Sequence, residues 1–141
     1  MSGNKLVILK SEVKSELVNN ILPFWSEKMS DSENGGFYGR IEGNGHIHPT
    51  ADKGCVLNSR ILWTFSSAYR VLKNAEYLKV AEKSKDYLLK YFFDQEYNGV
   101  FWLIDHKGKM KEDKAGFWKC PYHNARMCLE IIERQNDQHI L

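Results

Sequence analysis

Two residues of this chain combine a chemically useful side chain with a position where it could act. His123 follows Pro121 and Tyr122, and proline suits the first turn of a helix. The positive end of a helix dipole opposes a proton on the imidazole, which favours the neutral base that can take a proton from a carbon acid. A histidine that merely caps or packs at a helix start would occupy the same place, so both interpretations stand.

Arg60 is the second candidate, because the residues around it are mostly apolar. A guanidinium buried in such a segment needs an anionic or carbonyl partner, since burying an unpaired charge is costly. That partner could be a carboxylate of this protein, or an enediolate oxygen that develops on a substrate. The interval from Arg60 to His123 is 63 residues (123 − 60). This interval recurs elsewhere in the chain.

Aromatic and metal-ligating side chains also lie near the histidine. Trp118 and Tyr122 flank the same helix start and could stack on a sugar ring, although aromatic residues more often belong to a core. Cys120 begins a C-x-x-H spacing, and His46 alternates with His48. Without further ligands neither pair makes a metal site, so both are interpreted as structural or exposed. The sequence contains no phosphate-binding or dinucleotide motif, and no metal or cofactor is predicted.

Composition indicates a soluble globular protein. The 141 residues are 43% hydrophobic and 27% charged, and the net charge of +2 is too small to argue for nucleic acid or an acidic membrane. The apolar run Leu6–Leu9 is too short for a signal-peptide core or a membrane span. Three irregularly spaced cysteines argue against a disulfide framework, so we expect a cytoplasmic protein.

Apolar residues recur at helical spacing in four segments. The second segment is apolar except for one narrow polar stripe, which indicates a helix surrounded by protein on most sides. Segments rich in glycine and asparagine predict two β-hairpins, at 36–47 and 98–109. The predicted helices are Ser11–Ser30, Gly54–Lys73, Glu76–Phe93 and Pro121–Arg134.

The helical patterns also predict which side chains are buried. In the first helix the apolar residues at helical spacing form the predicted inward face; they are Val13, Leu17, Val18, Ile21, Leu22 and Trp25. Pro23 should kink or end the regular part because it has no N–H to donate. The last helix should bury its apolar positions in the same way. These are Met127, Cys128, Ile131 and Ile132.

An internal repeat relates the two halves of the chain. The segment Asp31–Tyr38 is similar to Asp94–Phe101, and Gly45 and Gly108 have the same 63-residue offset. Each unit contains an outer amphipathic helix, a hairpin and an inner, more apolar helix. This alternation favours an α/α toroid or solenoid over a four-helix bundle, with the two inner helices side by side.

Five motifs are spread over nearly the whole chain outside the join at 109–116. They are Ile21–Trp25, Gly35–Gly39, Asp52–Gly54, Asn58–Ser66 and Trp118–Cys128. These motifs resemble those of cellobiose 2-epimerases, a branch of the N-acylglucosamine 2-epimerase superfamily. Residues 1–110 resemble the family's N-terminal part, and 116–136 resemble its C-terminal helix.

The resemblance implies an all-α fold, a partial (α/α)6 barrel, or α/α toroid wedge, with short β-hairpins. It implies an isomerase that converts cellobiose to 4-O-β-D-glucopyranosyl-D-mannose by abstracting the C2 proton through an enediolate, without a cofactor. By motif match His123 is one of two acid–base histidines, Arg60 holds the enediolate, and Trp118 stacks on the sugar. Tyr122, next to His123, is expected to join Trp118 in binding substrate.

The chain departs from the family in its length. It is interpreted as internally shortened, a single domain over 1–141 that forms an incomplete barrel and lacks a recognisable second catalytic histidine. No other histidine matches a catalytic position. The expected partner is a β-1,4-linked disaccharide, with self-association through exposed helix edges. We expect impaired activity in the isolated chain. The alternative is a non-catalytic sugar-binding or scaffold fragment.

Overall fold

The computed structural model describes residues 2–111 and 122–137 of the chain. The chain divides into two compact units, Met1–Ser30 and Asp31–Leu141, and each is described by itself. The fold is mostly helical, as predicted, and it also contains one small two-stranded sheet. Its elements are α1 (Ser2–Glu16), β1 (Lys53–Gly54), α2 (Cys55–Leu72), α3 (Ala75–Tyr91), β2 (Leu103–Ile104) and α4 (Tyr122–Asp137).

The first unit is one long helical run that starts earlier than predicted, at Ser2. After α1 the hydrogen bonds widen to the π-helical pattern over Leu17–Ile21 and again over Phe24–Lys28. Pro23 lies between these segments with helical backbone angles, φ −60° and ψ −40°. The regular helix α1 therefore ends at Glu16, ahead of Pro23, and wide turns flank this residue that has no N–H to donate.

The predicted inward face of this first helix is only partly correct. Leu22 is fully buried, but Val13 and Ile21 are exposed, so the prediction is wrong for these two residues. The physical reason is that an amphipathic helix needs a partner to cover its apolar stripe. A single helical run contains no second helix within its own unit that could cover Val13.

In the second unit, α2 and α3 pack together as a helical hairpin, joined by Lys73 and Asn74. Lys73 takes a left-handed conformation with φ 57°, and the Asn74 side chain caps α3 by accepting a hydrogen bond from the Glu76 amide at 3.0 Å. The buried Ser84 hydroxyl donates to the Asn58 carbonyl oxygen at 2.8 Å, which ties the two helices together. The predicted helices Gly54–Lys73 and Glu76–Phe93 are confirmed to within two residues at each end.

A short sheet that the sequence did not predict connects the start of α2 to the second hairpin. Lys53 pairs with Ile104 and Gly54 pairs with Leu103 in an antiparallel arrangement. The Cys55 amide then donates to the Trp102 carbonyl oxygen at 2.9 Å. The second hairpin therefore holds the N-terminus of α2 in place.

The repeat is visible in the hydrogen bonds that precede each hairpin. The Asp31 amide donates to the Gly36 carbonyl oxygen at 3.1 Å, and the Asp94 amide donates to the Gly99 carbonyl oxygen at 3.1 Å. In both segments Oδ1 of the aspartate accepts hydrogen bonds from the amides two and three residues later. Residues 31–38 and 94–101 are therefore similar in local structure as well as in sequence.

The two predicted hairpins are confirmed, and they are equivalent to each other. Ile41 bridges Ile47 in the first, and Ile104 bridges Met110 in the second. Each hairpin turns through a glycine of positive φ, which is 88° at Gly45 and 91° at Gly108. Turns of the same geometry at the same offset support an architecture of repeated units.

A buried ion pair lies beneath the first repeat unit. Nζ of Lys53 is 2.7 Å from Oδ2 of Asp31, and both side chains are fully buried. The same Nζ donates to the Gly35 carbonyl oxygen at 2.6 Å and lies 5.2 Å from the ring centre of Tyr87. Burial raises the pKa of Asp31, but hydrogen bonds from the Asn34 amide and from Lys53 outweigh it, so the pKa lies below its ordinary value.

We expect the stabilising effect of Asp31 to depend on pH. Because the native pKa is lowered from 3.8, the carboxylate contributes stability above the unfolded-state value and loses it as the pH falls through the native value. The difference in unfolding free energy between the wild type and Asp31→Asn should be constant above roughly pH 5 and shrink at lower pH. Urea unfolding of both proteins from about pH 3 to about pH 7 measures this difference in free energy. A difference that grew on acidification would contradict the proposed charge state.

A close backbone approach requires glycine at position 39. A Cβ there would collide with the backbone carbonyl of Asp52, whereas a Cβ at Gly43 would meet no atom within 4 Å. Gly39→Ala should therefore lower the unfolding free energy by about 1–3 kcal/mol or more, because the backbone cannot yield as a flexible side chain can. Gly43→Ala is the matched control and should change it little. Equal melting temperatures for the two variants would contradict this packing.

Candidate functional site

A groove lies where α2 and α4 meet, with a volume of about 420 Å³. The contact between the two inner helices was predicted from the repeat and is confirmed. A volume of this size is within the range of small-molecule sites. The groove is lined by Ser59, Arg60, Trp63 and Thr64 of α2 and by Tyr122, Arg126 and Met127 of α4.

The α2 wall of the groove comes from one helix face. Arg60 is followed by Trp63 and Thr64 at intervals of three and four residues, so the three side chains are neighbours on one face of α2. Phe65, on another face of α2, is fully buried. Packing against α3 and the sheet thus holds α2 from behind, and this leaves the Arg60 face directed at the groove.

Arg60 is exposed, contrary to the expectation that it would be buried on a helix surrounded by protein. The expectation was wrong because this face of α2 borders open space in the groove. Among the described residues no carboxylate forms an ion pair with the Arg60 guanidinium. The sequence left two kinds of partner open for Arg60, and the described part of the structure contains no carboxylate of this protein paired with it.

The α4 wall begins with an aromatic ring held by an arginine. Nη1 of Arg126 donates to the Tyr122 hydroxyl oxygen at 2.7 Å, and its guanidinium carbon lies 5.9 Å from the ring centre. The two residues are one helical turn apart, so the contact is set by the helix itself. Tyr122 is 55% exposed, and the arginine restrains this exposed ring at the edge of the groove.

The predicted burial of the last helix is largely wrong. Met127 is partly buried and lines the groove, but Cys128 and Ile132 are exposed. Leu129 is exposed as well, whereas the side chain of Ile131 lies outside the described residues. The reason is that α2 covers only the Met127 side of α4 in the part of the chain that the structure describes.

The structure brings together only some of the predicted site residues. Arg60 and Tyr122 line the same groove. His123 lies in the first turn of α4, but its side chain is outside the described residues, as is the whole of Trp118. Convergence of Arg60, Trp118 and His123 on one concave surface therefore stays a prediction.

Only Arg60 and Tyr122, of the seven residues that line the groove, were predicted as site residues, and Trp63 and Arg126 are two of those that were missed. The signal was available in their spacing, because Trp63 follows Arg60 by three positions and Arg126 follows Tyr122 by four. Trp63 is an apolar position of the second predicted helix, which was expected to be surrounded by protein on most sides. Its exposed fraction depends on what lies beside α2, which the pattern of one helix does not specify.

The histidines of the first hairpin form a small structural cluster. Nε2 of His48 lies 2.7 Å from Oε1 of Glu42, and the His46 and His48 rings meet edge to face with their centres 4.9 Å apart. The hydrogen bond with His48 holds the pKa of Glu42 below its ordinary value. His46 is exposed and His48 half-buried, which confirms the interpretation of this pair as structural or exposed.

The sequence profile of the N-acylglucosamine 2-epimerase (GlcNAc 2-epimerase) family matches residues 36–120, more than half of the chain. The chain belongs to the N-acylglucosamine 2-epimerase family. The matched region contains both repeat hairpins and the whole α2 wall of the groove.

Characterised proteins of this family are similar to the chain over most of its length. A cellobiose 2-epimerase from Bacteroides fragilis is 50% identical over 107 residues, which are 76% of this chain and 27% of that protein. A cellobiose 2-epimerase from Eubacterium cellulosolvens is 46% identical over 102 residues, which are 72% of this chain and 25% of that protein. The chain thus spans about a quarter of the length of these relatives.

Solved structures give the same result for the fold. Cellobiose 2-epimerase from Spirochaeta thermophila matches with a TM-score of 0.72 and 37% identity, over 77% of this chain and 27% of that one. The enzyme from Bacillus thermoamylovorans matches with a TM-score of 0.69 and 44% identity, over 72% and 26%. These enzymes are (α/α)6 barrels, and the present chain corresponds to part of such a barrel. Within the described residues no helix is long and apolar enough to cross a bilayer.

Proposed function

We propose that the groove between α2 and α4 is part of an active site for epimerisation at C2 of the reducing-end sugar of β-1,4-linked disaccharides such as cellobiose. Family membership and the relatives named cellobiose 2-epimerase support this substrate class. The observation that carries the proposal is that Arg60 and the first turn of α4, which contains His123, meet at one groove. A cation and a base on neighbouring elements are what a carbon-acid reaction needs.

In the proposed reaction the open-chain sugar presents a C1 carbonyl beside its C2 hydrogen. His123 takes the C2 proton, and the electron pair of the broken C–H bond forms a C1–C2 double bond while negative charge moves to the carbonyl oxygen. Arg60 stabilises the resulting enediolate oxygen. Returning a proton to the opposite face of C2 gives the mannose epimer. The position of His123 at a helix N-terminus favours the neutral imidazole that the first step requires.

Inversion needs a second proton donor, and His123 is the one histidine of this chain that matches the family's acid–base pair. Proton abstraction needs only one base and one oxyanion partner, both of which the proposal assigns. We therefore expect the isolated chain to exchange the C2 hydrogen slowly with solvent and not to form the epimer at a family-like rate. A positioned acid or base typically supplies about 10²–10⁴-fold in rate, which sets the scale of the deficit.

A non-catalytic sugar-binding function is the second candidate. The observation that favours it is the presence of two exposed aromatic rings, Trp63 and Tyr122, in the same groove. Exposed Leu129 and Ile132 on α4 support a further part of the proposal, self-association through helix edges.

The experiment that separates these functions is an incubation of the purified chain with cellobiose in deuterated water, followed by NMR. Deuterium at C2 above the protein-free rate, with little 4-O-glucosyl-mannose, supports the proposed chemistry. Binding of cellobiose without deuterium incorporation supports the sugar-binding function instead. If cellobiose neither binds nor exchanges, both functions are refuted for this chain. Rapid epimer formation would mean that a second base is present after all.

A further inference from the structure

Trp63 is an exposed tryptophan on a helix whose adjacent apolar residues are buried. Its exposed fraction is 44%, compared with 4% for Ile61 and 6% for Leu62. Isolated exposed apolar residues are common on protein surfaces and by themselves indicate nothing. Trp63 differs because it lines a groove instead of an open surface.

The groups around Trp63 have the chemistry of a sugar-binding site. Small-molecule sites typically combine apolar or aromatic walls with a few polar groups that fix orientation. Here the indole provides the flat apolar wall, and the same helix carries the hydroxyl groups of Ser59 and Thr64 and the Arg60 guanidinium along the groove. A pyranose ring has matching surfaces, because its C–H faces are apolar and its rim carries hydroxyl groups.

The opposite wall supports the same interpretation. Tyr122 stands on α4 with its hydroxyl oxygen held by Arg126, so that a second aromatic ring is fixed at the groove. Aromatic side chains give a large contact area with few rotatable bonds, which limits the entropy lost on binding. Two such rings on facing helices favour a flat ligand with an apolar face over an extended peptide or a small anion.

We propose that Trp63 is a substrate-binding residue on which one pyranose ring of the disaccharide stacks. This rests on the proposed function for the choice of disaccharide, but the stacking itself requires only a pyranose. It assigns to α2 a ligand contact in addition to the oxyanion role proposed for Arg60. Because Trp63 lies one turn beyond Arg60, a ring stacked on it would be positioned relative to the guanidinium by the geometry of the helix.

The first test follows the indole N–H resonances of the wild-type protein in a ¹H–¹⁵N spectrum as cellobiose is added. The Trp63 resonance is assigned by its loss in Trp63→Phe. Its signal should shift and saturate with sugar, while that of Trp102, in the second hairpin, should stay in place. A Trp63 signal that does not move with any pyranose in a panel of cellobiose, methyl β-glucoside and N-acetylglucosamine would overturn the proposal.

The second test compares affinities by the same titration. Trp63→Leu should weaken binding roughly tenfold or more, as removal of a central aromatic anchor typically does. Trp102→Leu is the matched control and should bind as the wild type does. Trp63→Phe keeps a smaller ring, so an intermediate affinity is expected. Wild-type affinity in Trp63→Leu would overturn the proposal.

The two tests also separate this inference from the proposed function. A panel sugar other than cellobiose that shifts Trp63, with no response to cellobiose, would uphold the stacking site and refute the disaccharide substrate. Cellobiose binding with an unmoved Trp63 would do the reverse.

Discussion

Lys53→Met should lower the free energy of unfolding by about 3–5 kcal/mol, the loss expected when one partner of a buried ion pair is removed. Both Lys53 and Asp31 are fully buried, and their charged atoms are 2.7 Å apart. Methionine fills a similar volume but leaves the Asp31 carboxylate without its counter-ion and the Gly35 carbonyl without its donor. Urea unfolding at about pH 7 measures this loss of unfolding free energy.

Two further variants identify the cause of this loss. Adding Asp31→Asn to Lys53→Met should recover part of the stability, because the uncompensated buried charge is then removed. Lys79→Met removes a lysine whose ion pair with Glu76 is highly exposed, and it should change stability by no more than about 1 kcal/mol. If Lys53→Met were no more destabilising than Lys79→Met, the buried pair would not be a source of stability in this fold.

Arg60→Met should reduce deuterium exchange at C2 of cellobiose by about 10²–10³-fold relative to the wild-type chain. The proposed role of Arg60 is to stabilise charge that exists only after the proton has left C2. Losing such a group affects the chemical step much more than the binding of the neutral sugar. Exchange rates at saturating cellobiose, measured by NMR, therefore report the effect most directly.

The matched control is Arg70→Met, which removes an exposed arginine on the same helix that does not line the groove. Its exchange rate should equal that of the wild type. His123→Ala should abolish the exchange, because it removes the proposed base. Exchange that persists in Arg60→Met at the wild-type rate would show that another group holds the enediolate.

Features determined by local sequence were predicted well. The α2 and α3 segments have strong helical periodicity, and their observed bounds lie within two residues of the predicted ones. The turns at Gly45 and Gly108 need a positive φ, which glycine permits at little cost. Because the same local sequence features recur 63 residues apart, the repeat of structure could be inferred from the sequence.

Most features determined by distant partners were not predicted, and the contact between α2 and α4 is the exception because the repeat implied it. The Lys53–Asp31 pair joins residues 22 positions apart, and the β1–β2 pairing joins residues still more distant in the chain. Periodicity identifies which face of a helix is apolar, but burial depends on whether another element covers that face. This is why Val13, Cys128 and Ile132 are exposed despite apolar patterns, and why the groove position of Trp63 was missed.

The central claim, that the groove between α2 and α4 binds the disaccharide, is tested most directly by a cellobiose titration of the ¹⁵N-labelled chain. We expect saturable shifts of backbone amides around Arg60–Thr64 and in the first turn of α4. Amides at the hairpin turns, Gly45 and Gly108, should not respond. Shifts confined to the hairpins or to α1, or no saturable shift with cellobiose, would contradict the assignment of this groove as the sugar site.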